Sequence, residues 1–171
     1  PSPTPTNAPS PTPSGTPTTT NLVQNGGFES SGNWTFSGTP VPVHSTTQAH
    51  SGSYSLRVGG TSGQQGNSIA SQMVSIPSSA TQATLSFWYW SASNDSSSYA
   101  WQEANVVSSS GQVLQQLFQT TANNRGWVQL TFDLSKYAGQ TVGIQFLDYE
   151  NSGGGPYYTY MYVDDVVLNV S

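Results

Sequence analysis

Apolar and polar residues alternate along much of the chain, and this alternation is typical of strands rather than helices. Within the segment TLSFWYWS, Leu85, Phe87 and Tyr89 share one face of a strand, while Trp88 and Trp90 share the other. A second segment places the apolar residues 142, 144 and 146 on one side in the same way. We therefore predict that these two apolar sets face a common core.

Segments of this kind recur along the chain, bounded by clusters of Gly, Ser, Asn and Pro. About eleven strands are predicted, over residues 22–23, 34–37, 41–45, 53–58, 68–76, 84–91, 100–108, 113–119, 128–133, 141–148 and 158–170. Helix signals are nearly absent. The pattern predicts an all-β chain with an antiparallel two-sheet β-sandwich of the jelly-roll type. Ligand contacts are expected on its long polar loops, residues 59–67, 92–99 and 150–157.

The first twenty residues differ in kind from the rest. Residues 1–20 are dominated by Pro, Thr and Ser and contain no aromatic or charged side chain. Such a segment cannot bury enough apolar area to offset its ordering entropy, so we expect an extended, solvated linker. Residues 21–171 then form one domain. Because Pro/Thr-rich tracts join extracellular modules, the linker favours a secreted protein whose export signal lies upstream.

Charge is sparse, with three basic residues, Arg57, Arg125 and Lys136, against eight acidic ones. This balance excludes a nucleic-acid partner, which needs a basic surface to meet phosphates. The sequence has no apolar run long enough to span a membrane and no cysteine for a disulfide. Polarity comes mainly from Ser, Thr, Asn, Gln and Gly, which suit a neutral polyhydroxylated ligand as well as any exposed extracellular surface.

Catalytic motifs are missing from the sequence. There is no cysteine nucleophile and no G-x-S-x-G motif. His44 and His50 stand in Ser/Thr-rich segments without an acidic neighbour, so we expect exposed loop histidines. Glycosidase chemistry needs two carboxylates at a fixed separation. Glu103 with Asp148 or Glu150 could supply such a pair, but no sequence motif supports this choice. We therefore predict that the chain is not an enzyme.

Several short motifs carry a family resemblance. The motifs are NLVQNGGFES (residues 21–30), Trp34, AHSGSYSLRV (49–58), LSFWYW (85–90) and YVDDVVL (162–168). In these motifs the chain resembles the jelly-roll carbohydrate-binding modules that are appended to bacterial glycoside hydrolases. The chain is also similar to C-terminal accessory domains of secreted bacterial hydrolases, proteases included. The shared features are a Trp in a middle strand, here Trp101, and the segments WVQLTFDLSKYAGQTV (127–142) and TYMYVDDV (159–166).

The resemblance implies one structural calcium ion. Its ligands would be Glu29, Ser51 and Ser53 through backbone carbonyls, and Asp164, with Asp165 as the second choice. Calcium prefers six to eight oxygen ligands, which carboxylates and carbonyls supply. The alternative is that Glu29 caps a turn and that the two aspartates end a strand in solvent.

Sugar binding would need exposed aromatic rings, because the C–H face of a pyranose stacks on Trp or Tyr while polar groups bond its hydroxyls. The predicted aromatic cluster joins Trp88 and Trp90 with Trp101 and with the loop rings Tyr99, Tyr149, Tyr157 and Tyr158. The candidate ligand-binding residues are Trp90, Trp101, Tyr99, Tyr149, Tyr158, Glu103 and Gln102. The alternative for each ring is burial in a core. To the core itself the sequence assigns Phe28, Trp34, Trp127, Phe132 and Phe146.

Together these observations predict a secreted, monomeric carbohydrate-binding module without catalytic activity. It would anchor a covalently attached catalytic domain to a polysaccharide or oligosaccharide by aromatic stacking, with calcium as a structural cofactor. The alternative is a protein-interaction or structural accessory domain of a secreted protease or surface protein. Rings exposed along a groove favour the first function, whereas rings that all turn inward favour the second.

Overall fold

The computed structural model describes residues 19–153 and 155–171, so nearly all of the predicted linker lies outside the described residues. Within them the chain forms strands β1 Thr20–Asn21, β2 Thr35–Gly38, β3 Val43–Ser45, β4 Ser55–Gly60, β5 Gly66–Ser75, β6 Ala83–Ser93, β7 Ala100–Val107, β8 Val113–Thr120, β9 Trp127–Asp133, β10 Thr141–Glu150 and β11 Thr159–Val170. A turn of 3-10 helix, Ser135–Tyr137, joins β9 to β10. Ten of the eleven predicted strands overlap an observed strand whose ends differ by no more than two residues, whereas the predicted strand 22–23 lies just after β1 and shares no residue with it.

The strands form two antiparallel sheets. Sheet A has the order β3-β4-β11-β6-β9, with β1 paired to β11, and sheet B has the order β2-β5-β10-β7-β8. The inner faces of the two sheets pack on each other, which confirms the predicted β-sandwich. Because β1 pairs with the far end of β11, Thr20 lies opposite Val170 and the two described ends of the chain are neighbours.

The core lies between the sheets, where alternation predicts it. The residues predicted to face inward are all buried; they are Leu85, Phe87, Tyr89, Val142, Ile144 and Phe146. Phe87 and Phe146 meet edge to face across the sandwich, with ring centroids 4.9 Å apart. Trp34 packs on Phe146, and Phe28 is fully buried beside Trp34.

One core prediction is wrong. Trp127 lies opposite Trp90 in the β6–β9 register and packs with it, apart from the main core. Residues along β6 alternate between faces, so Trp90 turns away from the side that Tyr89 lines, and Trp127 follows its partner. Phe132 is only partly buried, against the edge of the main core.

In the part of the chain that the structure describes, no helix has the length and apolar character needed to cross a membrane.

Candidate functional site

The structure divides the predicted sugar-binding residues among four places. Trp101, Tyr149 and Glu103 lie on the outer face of sheet B, and Gln102 lies between the sheets. Trp90 belongs to sheet A, where Tyr158, just before β11, packs against its cluster, and Tyr99 lies in the loop before β7.

On sheet B, Trp101 of β7 and Tyr149 of β10 are direct cross-strand partners. Their rings stack with centroids 4.1 Å apart and an interplanar angle of 25°. Both side chains are partly buried. Because each ring already covers one face of the other, a ligand would have only their outward faces for stacking.

A polar network runs along the same face of sheet B. The Asn105 amide donates to Glu103 Oε1 at 2.9 Å and to Gln145 Oε1 at 3.2 Å, and Gln116 Nε2 donates to Glu103 Oε2 at 3.0 Å. Glu103 is only 9% exposed and Asn105 is fully buried. These bonds join β7, β8 and β10, so the Glu103 carboxylate is largely occupied in holding the sheet together.

Gln102 is on the opposite face of β7 from Trp101, because successive residues of a strand point to opposite sides. Its side chain is fully buried and its amide nitrogen donates to three oxygens of the described chain: Ala92 O, Thr159 Oγ1 and Tyr160 O. Gln102 therefore links the two sheets and does not reach a ligand on the outer face.

The aromatic residues of sheet A pack on one another. Trp90 is 9% exposed and Tyr162 is 2% exposed, with their ring centroids 5.4 Å apart. Tyr160 stacks near Trp90, and the Tyr158 hydroxyl accepts a bond from Arg125 Nη2 at 2.6 Å. This cluster offers no exposed row of coplanar rings.

A cavity of about 550 Å³ opens between the loop before β7 and the loop after β10. Its lining comprises Asn94, Asp95, Ser96, Tyr99, Ser152 and Tyr157. Tyr99 is 54% exposed and Tyr157 is 42% exposed, so both rings are open to solvent. Of this lining, the predicted aromatic cluster included Tyr99 and Tyr157, but only Tyr99 was a candidate ligand-binding residue. The polar lining residues lie in two of the long polar loops where ligand contacts were expected. We call this site the loop cavity.

Hydrogen bonds between the two loops fix the loop cavity. Asn94 Nδ2 donates to Pro156 O at 3.0 Å, and its Oδ1 accepts from Tyr158 N at 2.7 Å. Asn151 N donates to Tyr99 O at 2.9 Å. Among the described residues, Asp95 Oδ2 and Ser152 Oγ are buried and have no hydrogen-bond partner. The cavity therefore combines two exposed rings with a carboxylate and a hydroxyl whose buried oxygens are unpaired.

The five predicted metal-binding residues come together in the structure. Asp164 Oδ2 accepts from His50 N at 2.8 Å and from Ser51 N at 3.2 Å, while Asp165 Oδ1 accepts from Ser51 Oγ at 2.6 Å. Glu29 Oε1 accepts from Ser53 N at 2.8 Å. The turn before β4 is thereby attached both to the N-terminal segment and to β11.

An irregularity in β11 brings the two aspartates to the same turn. The register with β6 shifts between Asp164 and Val167, and Asp165 adopts a left-handed φ of 49°. Gly27 lies among the acids: a Cβ there would be within 4.0 Å of Glu29 Cγ, Asp164 Oδ1 and Asp165 Oδ1. The three acidic side chains therefore surround one small volume.

His50 is an exposed loop residue, as predicted, but it belongs to this cluster although no acidic residue is near it in the sequence. Its Nδ1 lies 2.6 Å from Asp165 Oδ2, and its ring stacks on Trp88 at 4.0 Å. Among the described residues this is the one ion pair, so no Lys or Arg balances the acids. Burial raises the pKa of Asp164, and the N–H groups of Ser51 and His50 oppose that rise.

Within residues 19–153 and 155–171, no set of three or more Asp, Glu and His side chains has the arrangement of a complete metal site. A cation at this cluster would need backbone or water oxygens besides the carboxylates. That donor set fits calcium, which takes carboxylate, carbonyl and water oxygens together.

Comparison with known proteins identifies the fold. No protein-family model and no curated protein sequence matches the chain. Among solved structures, TmCBM61 in complex with β-1,4-galactotriose is 20% identical over 89% of this chain and 99% of its own, with a TM-score of 0.62.

Two further structures are similar to the chain. The C-terminal family 22 carbohydrate-binding module of Clostridium thermocellum Xyn10B is 17% identical over 84% of this chain and 89% of its own, with a TM-score of 0.53. A family 16 carbohydrate-binding module is 16% identical, covers 86% of this chain and 99% of its own, and has a TM-score of 0.51. The chain thus has the β-sandwich fold of carbohydrate-binding modules.

Proposed function

We propose that the chain is a non-catalytic carbohydrate-binding module that binds sugar in the loop cavity. The observation that carries this proposal is that two solvent-exposed rings, Tyr99 and Tyr157, line one cavity together with the polar side chains of Asn94, Asp95, Ser96 and Ser152. The rings would stack on the C–H faces of pyranose units, while the polar groups bond their hydroxyls. A volume of about 550 Å³ lies in the usual range for a ligand site.

The position of the acidic residues supports a role without catalysis. Glu103, Asp148 and Glu150 are the carboxylates that the sequence offers as a pair, and they are 9%, 1% and 2% exposed. Glu103 is engaged by amides on the outer face of sheet B, whereas Asp148 and Glu150 point between the sheets. A pair divided in this way cannot flank a glycosidic bond in a solvent-accessible cleft.

The topology supports a tethered module. The N-terminal strand β1 pairs with the end of β11, whereas the loop cavity lies beside the start of β11, where Asn94 N donates to Tyr158 O. A strand of this length separates the two by roughly 35 Å at about 3.3 Å per residue. In a secreted enzyme, a linker entering at Thr20 would hold a catalytic domain at one end and leave the cavity at the other free to meet a polysaccharide.

Affinity electrophoresis through gels that contain soluble polysaccharides, β-1,4-galactan and xylan included, tests the binding site. We expect retardation of the wild type and a loss of about tenfold or more in affinity for Tyr99→Ala and Tyr157→Ala, since each removes a stacking ring. Tyr54→Ala is the matched control, because Tyr54 is 39% exposed and lies outside the cavity. Unretarded wild type on every polysaccharide would contradict the function.

The same gels locate the sugar on the molecule. If Trp101→Ala abolishes retardation and Tyr99→Ala does not, the ligand binds on the outer face of sheet B and the loop-cavity assignment is wrong. Trp90 and Tyr162 of sheet A are buried against each other, which favours a structural role for these rings. The exposed tyrosines therefore favour a sugar ligand over a purely structural accessory domain.

We also propose a structural calcium ion bound by Glu29, Asp164 and Asp165 with the backbone carbonyls of Ser51 and Ser53. The support is that the Asp164 and Asp165 carboxylates and the Glu29 side chain lie around Gly27, with His50 as the one ion-pair partner of these acids among the described residues. Chelation is expected to lower the melting temperature by on the order of 5–10 °C relative to calcium at about 100 times its Kd. Glu29→Gln is expected to shrink that shift; a shift unchanged in this variant would contradict the assignment.

A further inference from the structure

A row of polar side chains crosses the inner face of sheet B at the end nearest the loop cavity. Ser68 of β5 and Gln102 of β7 are the direct cross-strand neighbours of Asp148 in β10. Glu150 lies two residues further along β10 and therefore on the same face. All four side chains are enclosed between the sheets, with exposures of 0–2%.

Acceptor oxygens outnumber donors among these buried groups. Among the described residues, both carboxylate oxygens of Asp148, together with Glu150 Oε2, Gln102 Oε1 and Ser68 Oγ, have no hydrogen-bond partner, and of these only the Ser68 hydroxyl carries a hydrogen of its own. Buried polar atoms are nearly always paired, so five unpaired oxygens in one row require an explanation. The cluster differs from a set of exposed acids, because the neutral Gln102 and Ser68 oxygens are left unpaired as well.

The hydrogen bonds of the Gln102 amide nitrogen and of Glu150 Oε1 identify which oxygen of each side chain is unpaired. Gln102 Nε2 donates to Thr159 Oγ1 at 2.8 Å and to carbonyls of the facing sheet, which assigns the amide and leaves Oε1 as the free atom. Glu150 Oε1 accepts from Ser152 N at 2.9 Å, so Oε2 is the free atom of that carboxylate.

Gly59 of β4 lets the Asp148 carboxylate pack against the backbone of the facing sheet. A Cβ at this position would lie 2.6 Å from both Asp148 Oδ1 and the Thr159 carbonyl oxygen. A side chain of any kind there would collide with both oxygens, so the glycine allows Asp148 to approach the start of β11.

Two carboxylates buried together must be neutralised. Burial, followed by the nearby Glu150 carboxylate, raises the pKa of Asp148 well above its usual value; the Thr159 hydroxyl partly opposes this, though it does not meet hydrogen-bond geometry with either oxygen. A single proton on Asp148 and the hydrogen of the Ser68 hydroxyl would supply only two donors for five unpaired oxygens. A divalent cation would neutralise both charges and coordinate all of them.

We propose that Asp148, Glu150, Gln102 and Ser68 bind a divalent cation between the two sheets, separate from the cluster around Glu29. An all-oxygen set with two carboxylates favours calcium over the transition metals. Magnesium fits less well, because it keeps several waters and the enclosed row leaves little room for them. The ion would join sheet B to the Thr159 end of β11 and support the base of the loop cavity.

Native mass spectrometry of the calcium-loaded full chain tests this site by counting bound ions. Asp148→Asn is expected to bind one calcium fewer than the wild type, because it removes a charge with little change of shape. The exposed carboxylate of Asp133 provides the control, and Asp133→Asn is expected to keep the wild-type count. An unchanged count in a folded Asp148→Asn variant would overturn the proposal.

Glu29→Gln keeps the test decisive if Asp148→Asn fails to fold. This variant leaves the row between the sheets intact, so it must retain one calcium that chelation removes and calcium restores, with a matching change in melting temperature. A folded Glu29→Gln chain that binds no calcium would refute the second site. If Asp148→Asn binds one calcium fewer and Glu29→Gln binds as many as the wild type, only the calcium site at the Glu29 cluster is refuted. Magnesium in place of calcium is expected to give a smaller rise in melting temperature in Glu29→Gln.

Discussion

Two buried aspartates of this chain show how local contacts decide what a carboxylate needs. Asp164 accepts backbone N–H bonds from His50, Ser51 and Asp165, which stabilise its charged form. Asp148 has no such donor and faces the Glu150 carboxylate. These donors therefore limit the rise that burial causes in the pKa of Asp164, whereas no backbone donor among the described residues does so for Asp148.

Gly59 is a residue at which a single added methyl group is expected to destabilise the fold. Gly59→Ala is expected to cost about 2–4 kcal/mol, because the new Cβ meets Asp148 and the Thr159 backbone at 2.6 Å and because φ is +94°. Gly111→Ala, with φ +83° and nothing within 4 Å, is the matched control and is expected to cost about 1 kcal/mol. Chemical denaturation measures both. Equal losses in the two variants would mean that Gly59 is needed only for its backbone angle.

Among the elements, the turn between β9 and β10 depends on a single side chain. Asp133 Oδ1 accepts from Ser135 N at 2.8 Å and from Ser135 Oγ at 2.5 Å, just where the 3-10 turn Ser135–Tyr137 begins. That turn carries the buried Tyr137 into the core. The hydroxyl and then the backbone N–H of Ser135 lower the pKa of Asp133 below its unfolded value of 3.8.

A pH dependence follows from that lowered pKa. The folded state binds the proton of Asp133 less readily than the unfolded state does, so the contribution to stability is present above pH 3.8 and is lost as pH falls through the folded pKa. Asp133→Asn is expected to be less stable than the wild type at neutral pH and to approach it in acid. Denaturation curves across this range measure the difference, and a gap that stays constant from neutral pH to acid would exclude the ionised carboxylate as its cause.

Strands were predictable because alternation and turn residues are local signals, but pairing between strands is not local. Residues 59–67 were predicted to form one loop, since two glycines begin it. In the structure Gly59 and Gly60 continue β4, because they pair with Tyr160 and Thr159 of β11. Tertiary pairing overrides the weak strand preference of glycine at this point.

At the scale of the whole molecule, sheet membership decides the candidate site. Alternation within β7 places Trp101 and Glu103 together and Gln102 on the other face. No sequence pattern tells that Trp90 belongs to one sheet and Trp101 to the other, so the two rings were wrongly joined in one cluster. The residues around Glu29 did come together as the family resemblance implied, whereas the row at Asp148 depends on register across three strands and could not be predicted.

The central claim is that sugar binds in the loop cavity between residues 94–99 and 151–158. The most direct measurement is a titration of ¹⁵N-labelled protein with β-1,4-galacto-oligosaccharides and xylo-oligosaccharides, followed by amide and indole chemical shifts. If sugar binds in the loop cavity, we expect saturable shifts of the Asn94, Tyr99 and Tyr157 amide signals and no shift of the signal from the buried Trp90 indole. Saturable shifts confined to sheet A, or no saturable shift with either sugar series, would contradict it.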